Sequence, residues 1–216
     1  MKNNKADIRK DYIFNESNDL KESNVSSDPL EQFMQWFEEA LKTDPNEANA
    51  MFLATSSKDG KPSVRTVLLK GIDNKGFVFF TNYSSRKGNE LNENPNASIL
   101  FFWKVIERQI RIEGITERVT RDESEEYFHK RPFESQIAAL ASAQSSVIKS
   151  RKTLENKYNE LKEKYTGNTV PLPKTWGGYR LIPDKMEFWQ GRQNRMHDRI
   201  LYSKVNGNWK IQRLSP

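Results

Sequence analysis

The feature that most constrains the fold is a series of short apolar stretches between residues 50 and 119, separated by tight-turn sequences. Alternating and β-branched residues predict strands near 50–56, 63–70, 77–82, 97–103 and 107–119. The turns are marked by Asp59-Gly60, Asp73-Asn74-Lys75-Gly76 and Asn94-Pro95-Asn96. Short strands at near-regular spacing favour an antiparallel barrel over βαβ units.

Helices are expected on both sides of this region. Asp28-Pro29-Leu30-Glu31 predicts a helix start, with an acidic N-cap and proline at the first helical position, and Asp44-Pro45 should end this helix. Its apolar residues recur at helical spacing and predict one buried stripe, formed by Leu30, Phe33, Met34, Phe37 and Leu41.

Three more helical segments and a second group of strands follow the β region. Thr120-Arg121-Asp122-Glu123 has the pattern of a capping box, and the helix that it opens must break at Arg131-Pro132. Another helical segment covers Phe133 to Ser142. Ser150 caps the third, which ends near Gly167 and carries a stripe of Leu154, Tyr158, Leu161 and Tyr165. Strands are then predicted at 176–190 and 197–204, with Asn206-Gly207 turning the chain into residues 209–211.

These elements predict a mainly β chain with flanking helices, of the α+β class, in two parts. Residues 1–27 are polar and charged with little apolar periodicity, which is typical of a mobile arm. Residues 28–216 should form the folded domain.

Composition narrows the classes of function. The chain has no cysteine, which excludes disulfides, zinc–cysteine sites and thiol catalysis. No apolar run approaches the roughly 20 residues that span a bilayer, and the N-terminal residues lack a signal-like apolar segment, so we expect a cytoplasmic protein. A net charge of +6 indicates an anionic partner. Because the basic residues lie in short scattered clusters, they favour small phosphorylated molecules over nucleic acid.

The stretch from Trp189 to Arg199 is the strongest candidate site, since it combines one aromatic ring, three arginines and one of the two histidines. If residues 196–200 are extended, Arg195, His197 and Arg199 face one side of the strand. Such a face calls for an anionic ligand. A solvated basic edge strand is the alternative interpretation.

Three other clusters could bind anions. Arg65 and Lys70 bracket a strand and, at about 3.3 Å per residue, would lie roughly 16 Å apart, so a single ligand would have to be long to meet both. The run from Thr81 to Gly88 leads into a helix start, where free backbone N–H groups favour an anion. Residues 129–136 place cations and a hydroxyl around a forced helix break. Each cluster could equally be a polar surface.

Taken together, these segments resemble the pyridoxine (pyridoxamine) 5′-phosphate oxidase family. The resemblance extends from about residue 28 to the end, and more loosely into the arm. It rests on blocks that occur in the family's order: Arg65-x-Val67-Leu68-Leu69-Lys70, Phe80-Thr81-Asn82, Ser85-Arg86-Lys87, Glu107-Arg108-Gln109, Tyr127-Phe128-His129-x-Arg131-Pro132, Ser135-Gln136-Ile137, Gln144-Ser145-Ser146, Trp176-Gly177-Gly178, Glu187-Phe188-Trp189-Gln190-Gly191, Arg195-x-His197-Asp198-Arg199 and Arg213-Leu214-Ser215-Pro216.

The resemblance implies a homodimeric split β-barrel that holds FMN at the subunit interface. The FMN-binding residues that it implies are Arg65, Thr66, Val67, Leu68, Leu69, Lys70, Phe80, Thr81, Arg86, Lys87, Gln109, Gln144, Ser145, Trp189 and Arg199. The substrate-binding residues are Lys70, Tyr127, Arg131, Ser135, Arg195 and His197, with Arg9 and Tyr12 from an arm that closes over the substrate. Arg195 and His197 would lie over the substrate ring as the catalytic pair. Phe80 replaces a tyrosine found in several members.

The chemistry implied is oxidation of pyridoxamine or pyridoxine 5′-phosphate to pyridoxal 5′-phosphate, with oxygen as acceptor and hydrogen peroxide as product. Because the flavin is the electron sink, the protein mainly positions two rings, and no metal or catalytic triad is required. Two rival hypotheses remain: a split-barrel flavin enzyme for another substrate, and a non-catalytic protein that binds nucleic acid or a phosphorylated ligand.

Overall fold

The structure, a computed structural model, describes Tyr12 and residues 19–216. Arg9, which the sequence assigned to the substrate site, lies outside the described residues. The chain divides into two compact units. The first unit comprises the chain up to Met51, Ile99–Glu113 and Asp184–Pro216, and the second comprises Phe52–Ser98 and Gly114–Pro183.

Nine strands and five α-helices are present in the described part of the chain. The strands are β1 (Ala50–Ser56), β2 (Pro62–Leu68), β3 (Gly71–Asp73), β4 (Gly76–Asn82), β5 (Asn96–Trp103), β6 (Arg108–Arg118), β7 (Trp176–Gln190), β8 (Asp198–Val205) and β9 (Asn208–Arg213). The helices are α1 (Pro29–Thr43), α2 (Arg86–Glu93), α3 (Arg121–Lys130), α4 (Phe133–Ala141) and α5 (Arg151–Tyr165), with a short 3-10 helix at Gln193–Arg195.

The strands are hydrogen-bonded in the order β2-β1-β5-β6-β7-β4-β3, and β8 pairs with both β7 and β9. The pairings β3–β4, β4–β7, β7–β8 and β8–β9 are antiparallel. The predicted mainly β class with flanking helices is therefore confirmed. The sequence missed β3, which is only three residues long.

The β3–β4 turn shows why its residues form a tight hairpin. Asp73 Oδ1 accepts hydrogen bonds from the N–H groups of Lys75 and Gly76, at 2.8 and 3.1 Å. Gly76 has a φ of 154°, and a Cβ atom there would lie 2.0 Å from the carbonyl oxygen of Leu181. Only glycine fits here, where the start of β4 approaches β7 so closely.

Helix α1 begins as predicted, but its buried face differs from the predicted stripe. The Asp28 side chain caps the helix by accepting a hydrogen bond from Leu30 N–H at 2.8 Å. The buried positions are Pro29, Gln32, Phe33, Trp36 and Ala40, whereas Met34 and Leu41 are exposed. The predicted stripe left out Trp36 and Ala40, which are buried and complete the packed face of the helix.

Aromatic packing forms the core of each unit. In the first unit, the Phe33 ring lies 5.1 Å from that of Phe101, and the Trp36 ring lies 5.2 Å from that of Phe188. In the second unit, Phe128, Ile137, Val170 and Trp176 form a buried cluster. The predicted α5 stripe, Leu154, Tyr158, Leu161 and Tyr165, is half-buried.

Helices α3 and α4 are shaped by the sequence signals that predicted them. Thr120 and Glu123 form the capping box, in which each residue bonds the backbone N–H of the other. Arg131 is the C-cap of α3, Pro132 follows, and α4 begins at Phe133. Since proline cannot continue a helix, the chain turns here and brings Tyr127, Arg131 and Ser135 to one region. No helix of the described residues is both long and apolar enough to cross a membrane.

Candidate active site

The second unit contains a cavity of about 550 Å³. This volume falls within the range of about 300–1,000 Å³ that is usual for small-molecule sites. The predicted site residues that line it are Thr66, Val67, Leu68, Lys70, Phe80, Thr81, Lys87, Tyr127, Arg131, Ser135 and Gln144. The other lining residues are Asn82, Pro132, Ala138, Ala139, Ser142 and Trp176.

Lys87 is a buried cation on this cavity wall. Its ammonium donates to Thr81 Oγ1 at 3.0 Å and to the side-chain oxygen of Gln144 at 3.4 Å. Burial, and to a smaller extent the charge of Arg65, lowers the pKa of Lys87. Both acceptors are neutral, so the ammonium is partly desolvated without charge compensation from them. That arrangement favours an anionic ligand.

Arg65 and Arg86, the other two cations that the sequence assigned to the FMN phosphate, are both paired with Glu90. Arg65 Nη2 lies 3.2 Å from Glu90 Oε2, and Arg86 Nε lies 2.8 Å from Oε1. Glu90 also accepts from the hydroxyls of Ser63 and Thr55. Burial alone would raise the pKa of Glu90, but these hydrogen bonds outweigh it and lower the pKa to about 2. Glu90 is therefore a permanent carboxylate that orients both guanidinium groups.

Ser85 fixes the start of α2 next to this cluster. Its buried hydroxyl accepts from Gly88 N–H at 3.3 Å and donates to Asn82 carbonyl at 2.6 Å. The helix N-terminus predicted from residues 81–88 is confirmed. Its N–H groups and Lys87 present positive charge on the same short segment.

An aromatic wall forms another part of the cavity. Phe80 stacks on Tyr127 with ring centres 4.0 Å apart, and on Trp176 at 5.4 Å. Arg131 lies over the Trp176 ring at 4.9 Å, and its Nη1 atom is buried with no hydrogen-bond partner among the described residues. A buried guanidinium nitrogen without an acceptor is typical of a site that binds an anion.

Gln144 and Ser145 lie in the loop between α4 and α5. Ser145 has a φ of 72°, in the left-handed region, so the backbone turns at this residue. The turn directs Gln144 towards β4, where it accepts hydrogen bonds from Thr81 Oγ1 and Asn82 N–H. Four predicted FMN residues of this unit do not line the cavity: Arg65, the buried Leu69, Arg86 and Ser145.

The first unit groups the C-terminal candidates around Trp189. The rings of Trp189 and His197 are 4.6 Å apart, and Tyr12 makes edge contacts with both, at 5.6 and 5.2 Å. A Cβ atom on Gly191 would lie 2.4 Å from the Tyr12 ring, so glycine permits this approach. Tyr12 therefore lies beside His197, and its role in closing over a substrate stays a prediction.

Arg199 and Gln109 are placed by strands of the same unit. Arg199 is paired with Trp189 in the β7–β8 register, and its Nε donates to Glu187 at 2.8 Å. Gln109 is half-buried on β6.

Arg195 is not on a strand, so the expected extended run from residue 196 is wrong at its start. Strand β8 begins at Asp198, and Asn194 and Arg195 have φ values of 55° and 61°. Two successive left-handed residues reverse the backbone, and they remove Arg195 from the alternation that would have aligned it with Arg199. His197 lies between this turn and β8. Burial, and then the charge of Arg195, lowers the pKa of His197.

Sequence reasoning missed several residues that shape these groups. Glu90 could have been found, because it lies four residues after Arg86 on a helix, a spacing typical of ion pairs. Trp176 belongs to a block shared with the family but was given no role, since its contacts with Phe80 and Arg131 join segments that are distant in sequence.

Comparisons with known proteins identify the family of the chain. A family model described as pyridoxamine 5′-phosphate oxidase matches residues 37–165, and one described as the pyridoxine 5′-phosphate oxidase C-terminal dimerisation region matches residues 176–216.

Relatives match nearly the whole chain. A pyridoxine/pyridoxamine 5′-phosphate oxidase of Trichormus variabilis is 51% identical over 212 residues and covers 98% of each chain. A chloroplastic enzyme of that name from Arabidopsis thaliana is 52% identical over 97% of this chain, which spans 40% of that relative's length.

Among solved structures, PhzG from Burkholderia lata, in complex with tetrahydrophenazine-1-carboxylic acid, has a TM-score of 0.87 and 32% identity, covering 92% of this chain and 98% of that one. The match supports the split-barrel fold expected from the sequence. The chain therefore belongs to the pyridoxamine 5′-phosphate oxidase family.

Proposed function

We propose that this protein is an FMN-dependent oxidase that converts pyridoxamine or pyridoxine 5′-phosphate to pyridoxal 5′-phosphate, with oxygen as acceptor and hydrogen peroxide as product. One observation carries the proposal: a single cavity is lined both by Lys87, with Thr81 and Gln144, and by Arg131, with Lys70 and Ser135. Two groups of cationic and hydroxyl side chains suit two phosphorylated molecules, a cofactor and a substrate.

The residues around Lys87 fit the phosphate of FMN. Lys87 is a buried cation whose two side-chain acceptors are neutral, and Arg65 and Arg86 are already oriented by Glu90. Three cations against one carboxylate leave a net positive charge, as a phosphate monoester requires. Thr66, Val67 and Leu68 supply the cavity wall along which the rest of the cofactor would lie.

The residues around Arg131 fit the phosphate of the substrate. Its buried Nη1 atom lacks an acceptor, and Lys70, Tyr127 and Ser135 line the same cavity. A phosphate oxygen would supply the missing acceptor. Burial lowers the pKa of Arg131, although Tyr127 opposes this, and a bound dianion would relieve that cost.

The protein's part in the reaction is to bind and align. FMN, when bound, supplies the ring that accepts a hydride from the C4′ carbon of the substrate. Arg131 and Lys70 hold the substrate phosphate. Because the phosphate is fixed, the position of the C4′ carbon is fixed as well. In the homodimer proposed below, Arg195 and His197 would cover the substrate ring, and Tyr12 packs on His197.

The nearest rival is a split-barrel flavin enzyme for another substrate, and PhzG shows that a protein 32% identical binds a phenazine derivative. That ligand carries no phosphate, whereas Arg131 and Lys70 present cations in this cavity. The phosphorylated substrate is therefore favoured. A non-catalytic binding protein would not need Arg195 and His197 as a catalytic pair.

We propose that the enzyme acts as a homodimer, with Gln109, Trp189 and Arg199 of one subunit completing the flavin site of the other. Support comes from the dimerisation-region match at residues 176–216, which contains Trp189 and Arg199. Sedimentation of the FMN-loaded protein tests this, since an active monomer would contradict it. A cytoplasmic location remains a prediction from the sequence.

The experiment that tests the activity is anaerobic mixing of the FMN-loaded protein with pyridoxine 5′-phosphate. Loss of the oxidised flavin spectrum, with one pyridoxal 5′-phosphate formed per flavin, is the expected result. A flavin that stays oxidised with this substrate and with pyridoxamine 5′-phosphate, but is reduced by an unphosphorylated compound, would support the rival.

A further inference from the structure

Arg192 is a charged residue at a buried position in the first unit. Its side chain is only 7% exposed, and its ion pairs with described residues join Nε to Asp198 at 2.6 Å and Nη2 to Asp19 at 2.7 Å. A buried guanidinium is stable only when it is paired in this way. Asp198 is in turn bonded to Arg213 Nη1 at 2.8 Å, so the arginine belongs to a network of alternating charges.

The backbone of Arg192 makes a contact of a different kind. Its N–H donates to Nδ1 of His197 at 3.0 Å. Because a backbone N–H can only donate, Nδ1 of His197 must be unprotonated. In the neutral imidazole the proton then resides on Nε2, which becomes a hydrogen-bond donor.

We propose that Arg192 is a positioning residue, whose ion pairs with Asp198 and Asp19 fix the peptide that holds His197 as the Nε2–H tautomer. His197 then offers the substrate a neutral donor and does not act as a base through Nδ1. This inference rests on the proposed function only for the identity of the substrate, since the tautomer is a property of the protein alone.

The groups around His197 agree with a neutral ring. Tyr12 and Trp189 pack on it, and Arg195 lies two residues away with its positive charge. Protonation of Nδ1 would break the bond from Arg192 N–H and add a cation near Arg195. Burial and the positive charge of Arg195 both lower the pKa of His197.

The tautomer can be read directly, because the chain contains only two histidines. In the His129→Asn variant labelled with 15N-histidine, all imidazole nitrogen signals come from His197. We expect two-bond proton–nitrogen correlations at pH 7 to identify the Nε2–H form of His197. A ring protonated on Nδ1, or an imidazolium, would overturn the proposal.

The role of the Arg192 side chain is tested by Arg192→Gln, which keeps the backbone N–H and removes the ion pairs. We expect a mixture of tautomers, a higher pKa for His197 and a kcat/KM lowered by roughly 10-fold, with FMN affinity unchanged. Asp19→Asn keeps the Asp198 pair and should shift the same signals less, which covers a variant that folds poorly. Arg151→Gln, which breaks an exposed pair with Glu155, is the matched control. If Arg192→Gln and Asp19→Asn both leave the tautomer and pKa as in Arg151→Gln, the side chain has no positioning role.

Discussion

The guanidinium carbon of Arg131 lies 4.9 Å from the centre of the Trp176 ring, while its Nη1 atom is buried without a hydrogen-bond partner in the described chain. The ring stabilises the cation by its face but cannot satisfy the N–H groups. An unsatisfied charged donor costs stability, so this pair of residues is better explained by an anionic ligand than by folding.

Arg131→Met should raise KM for pyridoxine 5′-phosphate by about 100-fold or more, because a charge-assisted contact with the phosphate is lost. FMN affinity should stay unchanged, and thermal stability should not fall, since the variant removes an unpaired buried donor. Steady-state kinetics measures the effect. Lys130→Met is the control, because Lys130 is exposed and pairs only with Glu126 among the ion pairs described. Equal KM values for the two variants would remove Arg131 from the phosphate site.

The sequence predicted the features that depend on local patterns and missed those that depend on contacts between distant segments. Capping residues and alternation act locally, so α1, α3, α5 and the main strands were predictable within a few residues. The contacts of Trp176 with Arg131 and of Arg192 with Asp19 join distant segments, which no local pattern encodes. The left-handed backbone at Arg195 was also missed, because arginine gives no sign of that conformation.

The cofactor site is tested by Lys87→Ala and Arg86→Ala. The sequence assigned both residues to FMN, but Arg86 is exposed, at 65%, whereas Lys87 is buried. We expect Lys87→Ala to weaken FMN binding more than Arg86→Ala does, and the double variant to lose most affinity while remaining folded. Flavin fluorescence titration measures this. Riboflavin, which lacks the phosphate, should bind the variants and parent alike, and an equal loss for riboflavin would contradict the phosphate assignment.

The lowered pKa of Lys87 gives the same site a pH dependence. A phosphate favours the charged ammonium, so FMN binding should draw a proton to Lys87 and weaken as the pH rises towards alkaline values. Lys87→Met should abolish this part of the pH dependence. The measurement is the FMN dissociation constant across the alkaline range.

Glu90→Gln should lower stability at neutral pH, and the difference from the parent should vanish in acid. The folded pKa of about 2 lies below the ordinary 4.5, so the carboxylate stabilises the fold fully above pH 4.5 and loses this contribution as the pH falls towards 2. A shift of this size corresponds to a stabilisation on the order of 3 kcal/mol. Urea unfolding of the two proteins should differ at pH 7 and converge in acid. A difference independent of pH would mean that Glu90 acts by packing. Glu155→Gln, at an exposed ion pair, should show no such convergence.

Arg195→Leu should lower kcat/KM by about 100-fold while leaving the bound flavin spectrum intact, because a residue over the substrate ring is lost. His197→Asn should show a smaller loss of the same kind. Since Arg195 has a φ of 61°, Arg195→Asn provides the matched variant, as asparagine tolerates that backbone. The two Arg195 variants should agree in activity. Unchanged kinetics in both variants would mean that residues 193–196 are exposed surface without a role in the substrate site.

The most direct test of the account is aerobic turnover of the purified, FMN-loaded protein with pyridoxine 5′-phosphate and with pyridoxamine 5′-phosphate. The account predicts that one pyridoxal 5′-phosphate and one hydrogen peroxide form for each oxygen consumed. It also predicts that unphosphorylated pyridoxine is a far poorer substrate, because Arg131 and Lys70 then have no phosphate to bind. Absence of pyridoxal 5′-phosphate from both substrates, in protein that holds FMN and is dimeric, would contradict it.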